Sequence, residues 1–272
     1  MDKKPNYLLS QAPDEVERLS RMAETWEGAA EQLFDQIPIQ PGWNCLDLGC
    51  GPRGVLVPLG RRVGPYGRTT GADLSQTNVA AAREYASQAG LTNVEVIQAD
   101  FLRTNLPRAS FDLVHVRFMF TPLGHDRGLL QEMLDLVKPG GVVVAQESCE
   151  TGYECFPPQA AWQRLKEVTI AAFDQSGGDY NAGRRMYGLL RQAGCLQVNG
   201  RAVVLGLPAG HPFRRWPIES ATALRQRILE GGLMAEKEFE ETLEACRRVA
   251  EDPEIWMTSF MVTQVWGIKP GG

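Results

Sequence analysis

The chain has 272 residues, of which 43% are apolar and 22% are charged. These values are ordinary for a folded globular protein and exclude a disordered or fibrous chain. The net charge of −5 argues against a nucleic-acid-binding surface, which would be basic. The length predicts one large domain or two small ones, and the 28 glycines predict additional tight turns or close backbone approaches.

The cysteines and the N-terminus argue against a metal site and against export. The six cysteines include no C-x-x-C pair and none near a histidine at zinc-finger spacing, so no metal is expected. No apolar segment follows the first charged residues, so no signal peptide is expected. No apolar run reaches the roughly 18 residues that a membrane span needs. These features predict a reduced, soluble, cytoplasmic protein without a membrane partner.

The first half of the chain alternates between strand and helix patterns. Apolar residues at three- and four-residue steps predict an amphipathic helix over 13–36. Predicted strands follow at 43–48, 68–73, 94–98, 111–117 and 142–147, with predicted helices at 75–89 and 126–137. This alternation predicts a parallel sheet with helices on both faces.

The alternation stops after residue 147. The later patterns predict helices at 160–173 and 184–193, and a strand over 196–207. Two helices separated by glycines 231 and 232 are predicted within 218–250, and a final strand over 256–268.

The strongest local signal is the segment Asp-Leu-Gly-Cys-Gly-Pro-Arg-Gly at 47–54, between a predicted strand and a helix. Gly49 and Gly51 allow a sharp turn and a close approach of the backbone to a ligand. Asp73 ends the second strand, where a carboxylate can accept hydrogen bonds from both hydroxyls of a ribose. The two features together predict a nucleoside cofactor, although the spacing also fits an NAD site.

Two carboxylates help to separate the possible cofactors. Asp47 precedes the first glycine by two residues, and it would repel a pyrophosphate but tolerate an ammonium group. S-adenosylmethionine has such a group and no phosphate. Asp100 follows the third strand and can accept from an adenine amino group, with Phe101 packed on the ring. The alternative for Asp100 is a turn or helix-capping residue.

Five ordered segments resemble the motifs of class I S-adenosylmethionine-dependent methyltransferases, especially the small-molecule branch typified by ubiquinone/menaquinone-biosynthesis methyltransferases. These segments are 46–52, 71–75, 99–100, 111–114 and 137–141. The resemblance covers about 43–147 and implies an α/β, Rossmann-like, seven-stranded, mostly parallel sheet with an antiparallel last strand and helices on both faces. One departure is Pro52-Arg53-Gly54, where the family often has a shorter turn.

The resemblance also assigns expected cofactor contacts. Gly49, Cys50 and Gly51 would lie along the methionine part, Asp73 and Leu74 at the ribose, and Asp100 and Phe101 at the adenine. Asn78 is a further candidate, and Val116 or Arg117 would face the methionine end. The chain is then expected to be one domain over 1–272. Residues 41–147 form its cofactor-binding half and 186–207 and 252–270 its remaining core. A helical cover comes from 1–40, 148–185 and 208–251.

Catalytic candidates lie at the ends of the predicted fourth and fifth strands. Glu147 is the candidate general base, and His115 is a second candidate whose alternative is a structural histidine. Arg117 could pair with a substrate anion, with the alternative of a structural ion pair. The segment 116–120 lacks the Pro-Pro-aromatic turn of amino-group methyltransferases acting on DNA bases, and no Pro-Cys nucleophile is present.

Aromatic residues outside the alternating pattern could form a pocket for a planar substrate, or could simply pack the cover onto the core. They are Tyr7, Phe120, Tyr153, Phe156, Trp162, Tyr180, Phe213 and Trp216. Tyr7, Phe120, Tyr153, Trp162 and Arg117 are the expected substrate contacts.

The expected function is methyl transfer from S-adenosylmethionine to an O, N or C atom of a small aromatic or heterocyclic metabolite, by a monomer or homodimer. The alternatives are an NAD-dependent reductase, a protein methyltransferase, or a methyltransferase fold that binds the cofactor without transferring methyl.

Overall fold

A computed structural model describes residues 15–125 and 127–271 of the chain, so the expectation for Tyr7 lies outside the described residues. The central sheet has seven strands in the order β3-β2-β1-β4-β5-β10-β7. They are β1 (Asn44–Leu48), β2 (Arg68–Asp73), β3 (Val94–Gln98), β4 (Phe111–Arg117), β5 (Val137–Cys149), β7 (Leu196–Val203) and β10 (Met261–Ile268). Strands β1 to β5 pair in parallel, and β10 runs antiparallel to both β5 and β7. The predicted fold class is therefore confirmed.

Helices cover both faces of this sheet because its strands alternate their apolar side chains between the two faces. On one face, Leu33 and Phe34 of α2 (Glu27–Phe34) and Leu59 of α3 (Leu56–Val63) pack against β1, β4 and β5. On the other face, α6 (Gly128–Leu136) and α8 (Gly183–Gln192) pack against the next residues of the same strands. Helix α4 (Gln76–Gln88) packs at the β2–β3 edge.

The remaining elements lie over the carboxyl ends of the strands, where ligands bind in open sheets of this kind. The helices are α1 (Glu15–Thr25), α5 (Phe120–Leu123), α7 (Ala160–Gln175), α9 (Trp216–Ala223), α10 (Arg225–Glu230) and α11 (Glu236–Glu251), with a short 3-10 helix at Pro212–Arg215. A large apolar cluster joins α7, α9, α10 and α11 to the start of β10, whereas α5 packs into the cluster of α6 and α8. Among the described residues, no helix is long and apolar enough to cross a membrane. The division into one domain with a cover stays a prediction.

Several predicted elements are interrupted by tertiary contacts. The helix expected over 13–36 is broken at Trp26, whose backbone leaves helical geometry (φ −97°, ψ 3°) while its fully buried ring packs into the cover. The helical region 218–250 contains three helices, because α9 starts at Trp216 and a break at Leu224 separates it from α10. Helix α5 was not predicted.

A second, three-stranded sheet was also not predicted. It consists of β6 (Cys155–Phe156), β9 (Trp256–Thr258) and β8 (Gly206–Leu207), with β9 in the centre. The strands expected over 196–207 and 256–268 each split in two, because their outer parts leave the central sheet and pair with each other. Ser259 holds the split, since its hydroxyl accepts from the Leu205 backbone N–H at 2.9 Å.

Candidate functional site

The glycine segment after β1 forms the predicted tight loop. Gly49, Gly51 and Gly54 have φ values of +73°, +59° and +54°, a region that side-chain-bearing residues rarely adopt. The backbone N–H groups of Gly49 and Cys50 both donate to the carbonyl of Ala72, at 2.8 and 3.0 Å. The loop therefore turns directly over the end of β2.

Asp73 joins this loop to the start of α4. Its Oδ2 accepts from the Gly51 N–H at 2.8 Å, and its Oδ1 accepts from the Ser75 N–H at 2.9 Å and from Asn78 Nδ2 at 3.1 Å. The neighbouring Leu74 is 45% exposed, unusual for a leucine beside a buried strand. The structure thus brings together Gly51, Asp73, Leu74 and Asn78, four of the residues expected at the cofactor.

Asp47 does not face a ligand, contrary to the expectation. It is buried, and its Oδ2 accepts from the Val55 N–H at 2.8 Å. Its Oδ1 lies 2.7 Å from Nδ1 of His115. Both carboxylate oxygens are therefore used inside the protein, and Asp47 holds the far end of the glycine loop.

His115 is also unavailable as a general base. The ring is fully buried, and its Nε2 lies 2.8 Å from Nε2 of Gln146. With Nδ1 on Asp47, both ring nitrogens have protein partners. The structural alternative for this histidine is the one that the structure supports.

Glu147 is a helix cap rather than an exposed base. Its Oε1 accepts from the N–H groups of Met119 and Phe120, at 2.8 and 2.9 Å. Its Oε2 accepts from the N–H and hydroxyl of Thr121, at 3.1 and 2.8 Å. Burial raises the pKa of Glu147 to about 7, although these hydrogen bonds lower it. Such a pKa would suit a base, but the carboxylate is fully buried and its acceptor positions are occupied by the first turn of α5.

Arg117 lies against the glycine loop. Its Nη2 donates to the Gly54 carbonyl at 3.1 Å, whereas its buried Nη1 has no hydrogen-bond partner among residues 15–125 and 127–271. Burial lowers the pKa of this guanidinium, and the carboxylates of Asp47 and Glu27 raise it. An unpartnered buried donor is costly, so this nitrogen marks a place where an anionic ligand group would be stabilised.

The other expected cofactor residues are mainly buried. The Oδ1 of Asp100 accepts from the Leu102 N–H at 2.9 Å, which is the turn arrangement given as its alternative. Phe101 and Val116 belong to the apolar cluster on one face of the sheet. Cys50 is buried, and burial raises the pKa of its thiol well above the ordinary value.

A small apolar cavity of about 50 Å³ lies beside the carboxyl ends of β4 and β5. Its walls come from the cover, from the segment after β4 and from the end of β5. Five aromatic residues line it, Phe118, Phe173, Tyr180, Trp216 and Phe260, and its polar members are Arg18, Thr121, Ser148 and Ser220. Tyr180 and Trp216 were among the aromatic residues singled out in the sequence. Phe118, Phe173 and Phe260 were missed, because nothing local distinguishes them from core phenylalanines.

The substrate contacts expected at Phe120, Tyr153 and Trp162 are not at this cavity. Phe120 is buried in the cluster on the opposite side of α5. Tyr153 and Trp162 pack against each other, with ring centroids 5.7 Å apart, inside the cover. Arg117 points to the glycine loop instead. Tyr153 and Trp162 therefore pack within the cover, as the packing alternative proposed, whereas Phe120 lines a separate depression with Leu130 and Arg185.

One short segment joins the loop to the cavity. A Cβ placed on Gly49 would lie 2.3 Å from Sδ of Met119, so Met119 packs directly on the glycine loop. Its neighbour Phe118, with a left-handed φ of +57°, turns its ring into the cavity wall. The loop and the cavity are therefore adjacent parts of one site.

Residues 45–141 match the family model described as a methyltransferase domain. Demethylmenaquinone methyltransferase of Listeria monocytogenes is 34% identical over 111 residues, which cover 41% of this chain and 47% of that protein. The chain thus spans about half the length of the curated relatives it matches.

Two solved structures share the fold. Phosphoethanolamine N-methyltransferase 2 of Haemonchus contortus, in complex with phosphomonomethylethanolamine and S-adenosylhomocysteine, has a TM-score of 0.58 at 15% identity, covering 99% of this chain and 61% of that one. The cyclase SpnF has a TM-score of 0.53 at 18% identity, covering 91% and 84%. Together these matches confirm the resemblance to class I S-adenosylmethionine-dependent methyltransferases.

Proposed function

We propose that this chain, in which residues 45–141 match the methyltransferase-domain family model, transfers a methyl group from S-adenosylmethionine to an O, N or C atom of a small aromatic or heterocyclic metabolite. The observation that carries the proposal is the segment 118–121. Met119 packs on the glycine loop while Phe118 and Thr121 line the aromatic cavity. A cofactor on the loop would therefore lie next to a planar molecule that entered by widening this small cavity.

The residues around the loop fit S-adenosylmethionine. The remaining acceptor position, on Oδ2 of Asp73, would bind a ribose hydroxyl, and the exposed Leu74 would pack on the nucleoside. The unpartnered Nη1 of Arg117 would bind the carboxylate of the methionine part, because a buried guanidinium is stabilised by a bidentate or charged acceptor. Asp47 would act indirectly, by holding the loop through Val55.

The cofactor supplies an electrophilic methyl group on a sulfonium. In the transfer, a lone pair of the substrate forms a bond to the methyl carbon, the carbon–sulfur bond breaks, and S-adenosylhomocysteine leaves. The protein must align the two reactants and exclude water, and orientation alone can lower a barrier by several kcal/mol, about 7–11 at most. The aromatic walls would hold a planar substrate by apolar burial and ring stacking.

The described cavity walls offer no obvious general base. His115 and Glu147 have their acceptor positions filled. Tyr180 lies on the wall, but burial raises the pKa of its hydroxyl, so it stays protonated. We therefore propose that the accepting atom reacts as a free amine, whose proton is released to water after transfer, or as an already ionised group, whose proton left before transfer.

Calorimetric titration with S-adenosylhomocysteine and with NADH tests the cofactor. We expect wild-type protein to bind S-adenosylhomocysteine and not NADH, and Asp73→Asn to bind it at least tenfold more weakly. Glu95→Gln is the matched control, because Glu95 is an exposed carboxylate that pairs only with Arg68 among the described residues. Binding of NADH without binding of S-adenosylhomocysteine would show a reductase instead.

Transfer of tritiated methyl groups into an extract of the source cells tests the reaction. We expect label in the small-molecule fraction, and loss of that label with Asp73→Asn. Label confined to the protein fraction would indicate a protein methyltransferase. Cofactor binding with no labelled product would indicate a fold that uses the cofactor without transferring methyl.

A further inference from the structure

A chain of buried hydrogen bonds crosses four neighbouring strands of the sheet. It starts at the Val55 N–H, where the glycine loop ends, and passes through Asp47 of β1, His115 of β4, Gln146 of β5 and Gln264 of β10. It ends at the carbonyl of Ala29 in α2. The successive distances are 2.8, 2.7, 2.8, 2.6 and 3.1 Å. All four side chains are at most 1% exposed.

The backbone carbonyl of Ala29 sets the direction of hydrogen-bond donation along the whole series of side chains. A carbonyl can only accept, so Gln264 must present its Nε2 to Ala29, and the same Nε2 donates to Oε1 of Gln146. Gln146 must then donate from Nε2 to the ring of His115. Turning Gln264 over would bring two acceptors together, and turning Gln146 over would bring two donors together. The present orientation leaves Oε1 of Gln264 unpartnered among the described residues.

This direction of donation determines the protonation state and the tautomer of His115. Because Nε2 of His115 has to accept, the ring is neutral and carries its proton on Nδ1. That proton is donated to Oδ1 of Asp47, and the other oxygen of Asp47 stays oriented toward the Val55 N–H. The carboxylate is buried, so it stays in place only while both donors are present.

We infer that His115, Gln146 and Gln264 are positioning residues for the cofactor loop, although none of them belongs to it. They hold Asp47 in the one orientation that fastens the end of the loop, and they anchor that orientation on α2. A second contact joins the same elements, since Arg53 of the loop lies 3.4 Å from Glu27 of α2. The inference rests on the proposed function only where cofactor affinity is the readout.

Two amide substitutions at one position separate this role from simple core packing. In His115→Asn, the amide nitrogen takes the place of Nδ1 and keeps the donation to Asp47, but Gln146 loses its acceptor. In His115→Gln, the amide oxygen takes the place of Nε2 and keeps the bond from Gln146, but Asp47 loses its donor. Both variants remove the ring from its contact with Phe34.

We expect His115→Gln to raise the dissociation constant for S-adenosylhomocysteine about 10- to 100-fold, the range for losing a hydrogen bond to a buried charge. We expect His115→Asn, which keeps the donor to Asp47 but breaks the link to Gln146, to raise it only about three- to tenfold. Amide hydrogen exchange of the ligand-free protein should be faster over 49–56 in both variants, and markedly faster in His115→Gln. Equal effects of the two variants on affinity and on exchange would overturn the inference.

Gln264→Met is a second variant in case His115→Gln does not fold. It removes the anchor at Ala29, so exchange over 49–56 should rise even though Gln264 does not touch the loop. Thr263→Val is the control, because the neighbouring Thr263 hydroxyl is buried without a partner among the described residues. The nitrogen-15 spectrum of the wild-type protein should show His115 protonated on Nδ1. Protonation on Nε2 would contradict the proposed direction of the hydrogen bonds.

If wild-type protein fails to bind S-adenosylhomocysteine, the proposed function fails. The exchange measurements and the histidine spectrum would still decide whether the hydrogen-bond chain positions the loop, because neither uses the cofactor.

Discussion

The two glycines that flank Cys50 should respond very differently to alanine. Both have positive φ, +73° at Gly49 and +59° at Gly51, so alanine at either position carries a similar backbone cost of about 1–2 kcal/mol. Their surroundings differ. A Cβ at Gly49 would lie 2.3 Å from Sδ and 2.6 Å from Cε of Met119, whereas a Cβ at Gly51 has no atom within 4 Å.

The steric part of the difference can be worked out from Met119. This side chain is 6% exposed and belongs to the apolar cluster on the sheet face that α6 and α8 cover, so it cannot move freely into solvent. Overpacking of a core typically costs about 1–3 kcal/mol. We therefore expect Gly49→Ala to lower the free energy of unfolding by about 2–5 kcal/mol, and Gly51→Ala by about 1–2 kcal/mol at most.

Urea denaturation of the ligand-free protein measures both values, and a double-mutant cycle isolates the clash. In a Met119→Ala background, Gly49→Ala should cost no more than Gly51→Ala, because the obstructing sulfur is absent. Equal destabilisation by the two alanines in the wild-type background, or a cycle without coupling, would refute the argument that Met119 packs on the loop.

Four further outcomes are expected. Gly51→Ala should weaken binding of S-adenosylhomocysteine at least tenfold by calorimetry despite its small effect on stability, since its methyl group would occupy the space proposed for the cofactor; unchanged affinity would place the cofactor elsewhere. Glu147→Gln should keep turnover within about threefold in folded protein, because the carboxylate caps α5 and does not reach the cavity, and a loss of several orders of magnitude would restore it as the base. The pKa of Glu147, raised from 4.5 to about 7, means that the native carboxyl holds its proton more tightly than the unfolded one. The free energy of unfolding should therefore fall by about 1.4 kcal/mol per pH unit between pH 4.5 and 7. Urea titrations at pH 5 and pH 7 should show this fall in the wild-type protein and not in Glu147→Gln. The same pH dependence in both proteins would contradict the raised pKa. Phe260→Ala should lower the free energy of unfolding by about 3–5 kcal/mol, because its ring lies within 6.5 Å of six other aromatic rings; a change below 1 kcal/mol in thermal or urea unfolding would show that the cluster is not packed as described.

The two misassigned catalytic candidates show where local reasoning fails. Glu147 and His115 do lie toward the carboxyl ends of adjacent strands, as the pattern predicts, and that is where ligands bind in such sheets. Whether a side chain there is available depends on its partners. The donors for Glu147 come from 119–121, and the partners of His115 come from β1 and β5. No spacing rule pairs residues across that distance.

The aromatic cavity shows the same limit of local sequence reasoning, because some of its residues were not identified from the sequence. Tyr180 and Trp216 could be singled out because they stand in segments without a strand–helix pattern. Phe118 and Phe260 follow or precede sheet strands and look like ordinary core residues in the sequence. Only the left-handed turn at Phe118 and the split between β9 and β10 bring their rings to the cavity.

The amino-acid sequence by itself determined the sheet, the glycine loop and Asp73, because these depend on local rules. Alternating apolar residues specify strands, and positive φ specifies glycine. A carboxylate at the end of the second strand then lies at the loop by topology. Tertiary structure alone decided which buried polar groups are already paired, how the cover packs, and which aromatic rings face the cavity. Those properties depend on hydrogen-bond partners and contacts between residues far apart in the chain, and one residue's surroundings cannot be read from its neighbours in sequence.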